Sequence, residues 1–124
     1  LRDAFREEMR RARQLYVSGD LDRAFALFER AHVLGQGYVI PHTTTHVWML
    51  RIAWRRRDTF ELRGQILRIL GAMVISRIWV PIGNTGGANV HPLRPMPIAE
   101  DLAAVLLSAG RPIVPRAQAK RPRS

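Results

Sequence analysis

The chain of 124 residues contains no cysteine. That absence excludes disulfide scaffolds, thiolate zinc sites, iron–sulfur clusters and cysteine nucleophiles together. Lysine is nearly missing too, since Lys120 is the only one among 20 basic residues. Coding bias produces such an arginine skew as readily as function does, so arginine abundance alone identifies no partner. Acidic residues number 10, which leaves a formal charge of +10. Long apolar runs are also lacking. The longest in the fourth helical segment is Ile69–Ile75, bounded by Arg68 and followed closely by Arg77. A spanning helix needs about 20 predominantly apolar residues, so this run reads as a buried core helix, with an interfacial helix ending at Trp79 as the lesser reading.

The charge surplus is unevenly placed. Residues 1–34 carry seven Arg against six acids, whereas 51–77 carry seven Arg against two. Arg111, Arg116, Lys120, Arg121 and Arg123 close the chain without an acid. With 47% hydrophobic residues, the sequence supports one domain with a modest core. Residues 1–110 form that domain, and 111–124 read as a basic, disordered tail. Leu1 opens the chain without a Met, as expected where an N-terminal segment has been removed.

Helical periodicity organises most of the domain, and the fold class is all-α. A first helix spans 3–18, with Asp3 able to cap it and Ala4, Phe5, Met9, Ala12, Leu15 and Tyr16 on one face. Gly19-Asp20 breaks the pattern. A second helix runs over 21–34 through Ala24, Phe25, Leu27, Phe28, Ala31 and Leu34, and Gly35-Gln36-Gly37 ends it. Pro41 suits the first turn of a third helix extending to Arg56, and Asp58 opens a fourth over 59–78. Ala12, Leu15, Gly19, Ala24, Phe28 and Ala31 have the order and offsets of packing positions in a tetratricopeptide unit, which 3–34 resemble, although Glu8 stands at the usual Trp position. A looser copy follows at an offset of 38 residues, with Leu50, Ala53, Arg57-Asp58, Leu62, Ile66 and Ile69. Two stacked antiparallel helical hairpins result, and the remaining chain is expected to cover an exposed end.

Residues 80–98 change texture. Their Gly and Pro content forbids regular helix, yet Val80, Ile82, Val90, Leu93, Met96 and Ile98 recur. They read as an ordered strap packed on the helices. A short helix over 100–108 follows, with Gly110 at its end.

Four histidines are present, at 32, 42, 46 and 91. Glu29 and His32 share a face of the second helix, and His42 and His46, four apart, share a face of the third. The short connection between these helices brings Glu29, His32, His42 and His46 to one corner. Three imidazoles and a carboxylate suit a divalent transition metal: zinc, nickel, cobalt, copper or iron. Ligation requires neutral imidazoles, so affinity is expected to fall below about pH 6. Glu29-x-x-His32 is similar to half of a carboxylate di-iron motif, but the second half is missing. Thr43 stands where a zinc peptidase places its general-base Glu. His91 follows the Gly-rich loop and has the reach to complete or gate the site. The same residues also make a structural polar cluster: His42 capping with Thr43, Thr44 and Thr45, His32 satisfied by a carbonyl, and Glu29 paired with Arg30 or Arg51. Acid–base catalysis without metal is a third possibility for them.

The loop 83–89, Gly-Asn-Thr-Gly-Gly-Ala-Asn, invites a weaker reading as an anion nest formed by Gly86 and Gly87 with Arg94 or Arg77 nearby. Turns needing positive φ at Gly86 or Gly87 explain it equally well. No Lys-Ser/Thr follows, so it is no P-loop.

Glu29-Arg-Ala-His-Val-Leu-Gly-Gln36, Pro41-His-x-x-Thr-His-x-Trp-Met-Leu50, Pro81-Ile-Gly-Asn-Thr-Gly-Gly-Ala-Asn-Val90 and Pro95-Met-Pro-Ile98 together resemble a family of short bacterial proteins known as a domain of unknown function. The resemblance spans 3–107 and implies a bacterial, cytoplasmic, single-domain protein with no assigned activity. Three functions are compatible with the residues. The first is divalent-metal binding in a sensing, buffering or delivery role. The second is a protein-interaction adaptor using the hairpin groove. The third is a binder of nucleic acid or anionic surfaces through Arg51–Arg57 and the tail. No nucleophile–base pair or carboxylate pair stands out to favour an enzyme.

Overall fold

The computed structural model describes residues 1–75, 82–91 and 94–113, with the backbone alone for 72–75. Five helices appear in order: α1 (Arg2–Ser18), α2 (Leu21–Gly35), α3 (Val39–Arg56), α4 (Thr59–Ile75) and α5 (Glu100–Ser108). No strand occurs among the described residues. The segment expected to end the fourth helix, 76–78, and the tail from residue 114 lie outside the described residues. None of the described helices is long and apolar enough to cross a membrane.

The two helical hairpins close with nearly the same turn. Gly19 ends α1 in the left-handed region at φ 89°, and Arg57 ends α3 there at φ 54°. The next residue's amide donates back to Leu15 O in the first turn and to Ala53 O in the second, each at 3.0 Å. Asp20 then caps α2 by accepting from the Arg23 amide at 3.2 Å, and Asp58 caps α4 by accepting from the Glu61 amide at 2.9 Å. Every one of these positions recurs at the 38-residue offset legible in the sequence. Asp3 behaves otherwise than expected. The cap of α1 is Leu1, without a side-chain bond, and Asp3 lies inside the first turn, where its charge complements the helix dipole.

The hairpins stack through α2 against α3. Small residues at Ala12, Ala24 and Ala31 let α1 and α2 approach closely around buried Met9 and Phe28, and α3 adds Met49 and Ile52. Each large side chain buried here contributes about 1.5–3 kcal/mol. Trp48 lies stacked on Phe28, with ring centroids 5.3 Å apart and planes 13° from parallel, and meets Tyr16 edge-on at 5.4 Å.

The chain after α4 divides its work. α5 packs Leu102 and Leu106 against Val33 and Leu34 of α2, and the strap residues 82–91 lie against α2 and α4. The exposed end is therefore only partly covered: Phe60, Leu67 and Leu70 of α4 remain 67%, 70% and 61% exposed. Arg30 joins three helices. Its guanidinium donates to Glu8 Oε1 of α1 at 2.8 and 2.9 Å and also pairs with Asp101 of α5.

Two stability predictions follow from these contacts. Arg57→Gly should raise unfolding free energy by about 0.5–1 kcal/mol in urea, because glycine holds positive φ without a Cβ clash. Arg30→Met should cost about 2–3 kcal/mol, since it strands the buried Glu8 carboxylate. Asp101→Asn, at a solvent-facing partner, should cost under about 1 kcal/mol. Equal losses in the two variants would contradict this division.

Candidate metal centre

The corner between α2 and α3 exists because the connection is short. Tyr38 N donates to Gly35 O at 2.9 Å, closing the turn. Gly35 is required there by crowding, as a Cβ would sit 2.8 Å from the Phe5 ring and 3.0 Å from Pro41 Cβ. His32, in the last turn of α2, thus faces His42 and His46 in the first half of α3.

The three rings meet in the interior. Their centroids are 4.5 Å apart for His32–His42, 4.7 Å for His32–His46 and 4.9 Å for His42–His46. His32 and His46 are 3% and 2% exposed, and His42 is 9%. One ligand nitrogen from each ring lies within 4.8 Å of the others.

Hydrogen bonds on the outer side of two rings decide which nitrogens carry lone pairs. His32 Nδ1 lies 2.8 Å from the Asn84 carbonyl, an acceptor, so Nδ1 carries the proton and Nε2 the lone pair. That Nε2 is buried and has no hydrogen-bond partner among the described residues. His46 Nδ1 lies 2.7 Å from Gln65 Oε1. Gln65 Nε2 donates to Glu61 Oε1 at 2.6 Å and to Gly86 O at 2.9 Å, which fixes the amide's orientation. His46 Nδ1 is therefore the donor, and its Nε2 accepts from His42 Nε2 at 3.1 Å. In a tetrahedral site with Zn–N near 2.0–2.1 Å, ligand nitrogens stand about 3.3 Å apart, so this pair already has ligating separation.

Burial keeps all three imidazoles neutral. Desolvation pulls His42 down to about 4 and His46 to about 3, and it pushes His32 well below its ordinary value. The Arg68 guanidinium and, for His32 and His46, neighbouring imidazoles add like-charge opposition. The acid limit for ligation, expected near pH 6 for an unperturbed imidazole, moves lower accordingly.

Glu29 stands beside this group and outside it. Burial raises its carboxyl, the Thr85 hydroxyl hydrogen-bonds to it, and the charge of Glu61 opposes its ionisation. It pairs with neither Arg30 nor Arg51: Arg30 serves Glu8 and Asp101, and Arg51 lies over the Trp48 ring at 4.7 Å. His42 is the fourth residue of α3 and not its cap, while the Thr44 and Thr45 hydroxyls turn back to the carbonyls of Ile40 and His42. His91 is exposed and lies outside the close group, and its carbonyl accepts from Asn84 Nδ2 at 2.9 Å.

The glycine loop does meet an anion, and that anion is internal. The Ala88 amide donates to both oxygens of Glu61 at 3.1 Å. The carbonyls of Gly87 and Val90 accept from Arg68, and the Gly86 amide donates to Asn84 Oδ1 at 3.0 Å. Gly86 has φ 83°, and a Cβ there would lie 2.9 Å from the His32 ring. Arg94 is exposed, with its carbonyl accepting from Asn84. The Arg51–Arg57 strip is partly consumed within the fold. Arg55 donates to Tyr16 O at 2.8 Å and covers its ring, and Arg56 pairs with Asp22.

Sequence reasoning missed Glu61, Gln65, Arg68 and Asn84. The first three recur at helical spacing on α4, as a polar stripe that is signal enough once its burial is considered. Hydropathy directs attention to the opposite, apolar stripe instead. The chain belongs to the family described as Protein of unknown function (DUF3703), which matches residues 1–106 and so includes the three histidines and the strap. Neither the curated proteins nor the solved structures contain a match to it.

The imidazoles set an acid limit on the fold. Each is neutral when folded and protonates near 6.5 when unfolded, so the unfolded state binds more protons below that pH. Stability is then fully present above about pH 6.5 and is lost as pH falls, by about 1.4 kcal/mol per unit for each imidazole in its window. For His42 that window ends near pH 4, and for His46 near pH 3. Thermal melts should be flat from pH 8 to 7 and fall steeply from pH 6.5 to 4.5. A constant Tm across the lower range would contradict burial of the triad.

Proposed function

We propose that this member of the family binds a divalent first-row transition metal through His32, His42 and His46, in a sensing, buffering or delivery role. The observation that carries this reading is the His32 ring, whose outer nitrogen is bonded and whose inner nitrogen is buried with no partner among the described residues. Leaving a buried polar atom unpaired costs about 1–3 kcal/mol, which a bound cation would remove. Imidazoles whose far nitrogens donate to carbonyl oxygens are also the usual outer-shell arrangement of metal-ligating histidines. Nitrogen ligands without thiolate favour zinc, copper, nickel, cobalt or iron(II) over calcium or magnesium.

Three protein ligands leave a coordination position for water or an exchanging ligand, which suits an ion that is passed on more than one that is purely structural. Glu29 remains with Thr85, outside the ligand set. To ligate through Nε2, His42 must give up the proton it donates to His46.

Calorimetric titration with zinc should give one ion per chain. The His42→Ala/His46→Ala double variant should lose at least about 100-fold in affinity, corresponding to about 2.7 kcal/mol. Glu29→Gln should lose less than tenfold. Unchanged binding in the folded double variant would refute the assignment.

A further inference from the structure

The three imidazoles are buried, so an ion exchanges with them most readily where a covering element moves. On two sides the cover is helix, closed by its own hydrogen bonds and by the apolar core. Among the described residues, 82–91 form a further, non-helical cover, which has no repeating ladder. Asn84 is 1% exposed, and Gly86 lies close against the His32 ring, where a Cβ would sit 2.9 Å from it. Asn84 is flanked by Gly83 at φ 77° and, one residue further, Gly86 at φ 83°.

This strap is held mainly by side chains of one helix face. Gln65 holds Gly86 O, Arg68 holds Gly87 O and Val90 O, and Glu61 holds the Ala88 amide. Gly64, between them, lets Ala88 settle on the helix, since a Cβ there would lie 2.3 Å from Ala88 Cβ. Two of the strap's attachments are also attachments of the imidazoles: Asn84 O to His32 Nδ1, and Gly86 O through Gln65 to His46 Nδ1. Lifting the strap therefore removes the partner of His32 Nδ1 and one of the two bonds that orient Gln65 against His46.

We propose that the strap is the gate through which the metal exchanges, with Arg68 as its latch, an inference that rests on the metal-binding reading. A metal on Nε2 fixes the proton on Nδ1 of His32 and His46. That is the tautomer which donates to Asn84 O and Gln65. Ion and closed strap thus stabilise one another, and by linkage each must strengthen the other's hold. The chain releases its ion when the strap lifts and retains it while the strap is closed.

The test uses the full chain loaded with zinc, and excess chelator captures the released ion in a stopped-flow instrument. Arg68→Ala should release zinc at least tenfold faster than the parent while still holding one ion per chain. Gly64→Ala guards against a misfolded latch variant, because alanine favours α4 and leaves the Arg68 side chain in place. It should accelerate release by a similar factor by displacing Ala88. In the parent chain, zinc should slow amide hydrogen exchange at residues 84–90. Release rates equal to the parent's in the folded variants, or strap exchange indifferent to zinc, would overturn the gate while leaving the metal site standing. A parent chain that binds no zinc would overturn both.

Discussion

Three imidazoles in mutual contact inside a protein impose a strict condition: none can carry a charge, and each nitrogen needs a partner. Much of the surrounding structure answers that condition. Asn84 and Gln65 take the outer protons of His32 and His46, and His42 bridges to His46 across 3.1 Å. Gln65 is in turn oriented by Glu61 and Gly86. Arg68 and Glu61, the charged members, are turned to the carbonyls and amide of the strap. One inner nitrogen, that of His32, is left for something else.

The same condition explains the unusual use of α4. Its inward side carries buried Gln65 with half-buried Glu61, Gly64 and Arg68 beside Leu62 and Ile69, while Phe60, Leu67 and Leu70 face outward. A helix buried for apolar packing would show the reverse. Apolar cohesion is instead concentrated where α1, α2 and α3 meet around Met9, Phe28, Met49 and Ile52, and where α5 closes on Val33 and Leu34. The chain thus separates a core that supplies stability from a polar corner that supplies chemistry.

The fold was largely legible in the sequence, because helix boundaries and turns are written locally. Gly19-Asp20 and Arg57-Asp58 mark the two hairpin turns, and the short Gly35–Tyr38 connection forces His32 towards His42 and His46. The triad could therefore be assembled from spacing alone. Glu29 could not be sorted from it, because i,i+3 spacing places a carboxylate on a face without saying whether Thr85, far along the chain, will engage it. The partners of the imidazoles were hidden for the same reason: Asn84 meets His32 across 52 residues. The polar stripe of α4 was overlooked because hydropathy identifies cores by apolar residues, and here the fully buried position, Gln65, is polar.

The central claim is that the inner nitrogens of His32, His42 and His46 converge on one ion. X-ray absorption spectroscopy of the zinc-loaded chain tests it most directly. A first shell of nitrogen or oxygen near 2.0–2.1 Å, with outer-shell scattering that requires three imidazoles, is the expected result. A spectrum satisfied by one imidazole or none, with oxygen ligands making up the shell, would contradict it.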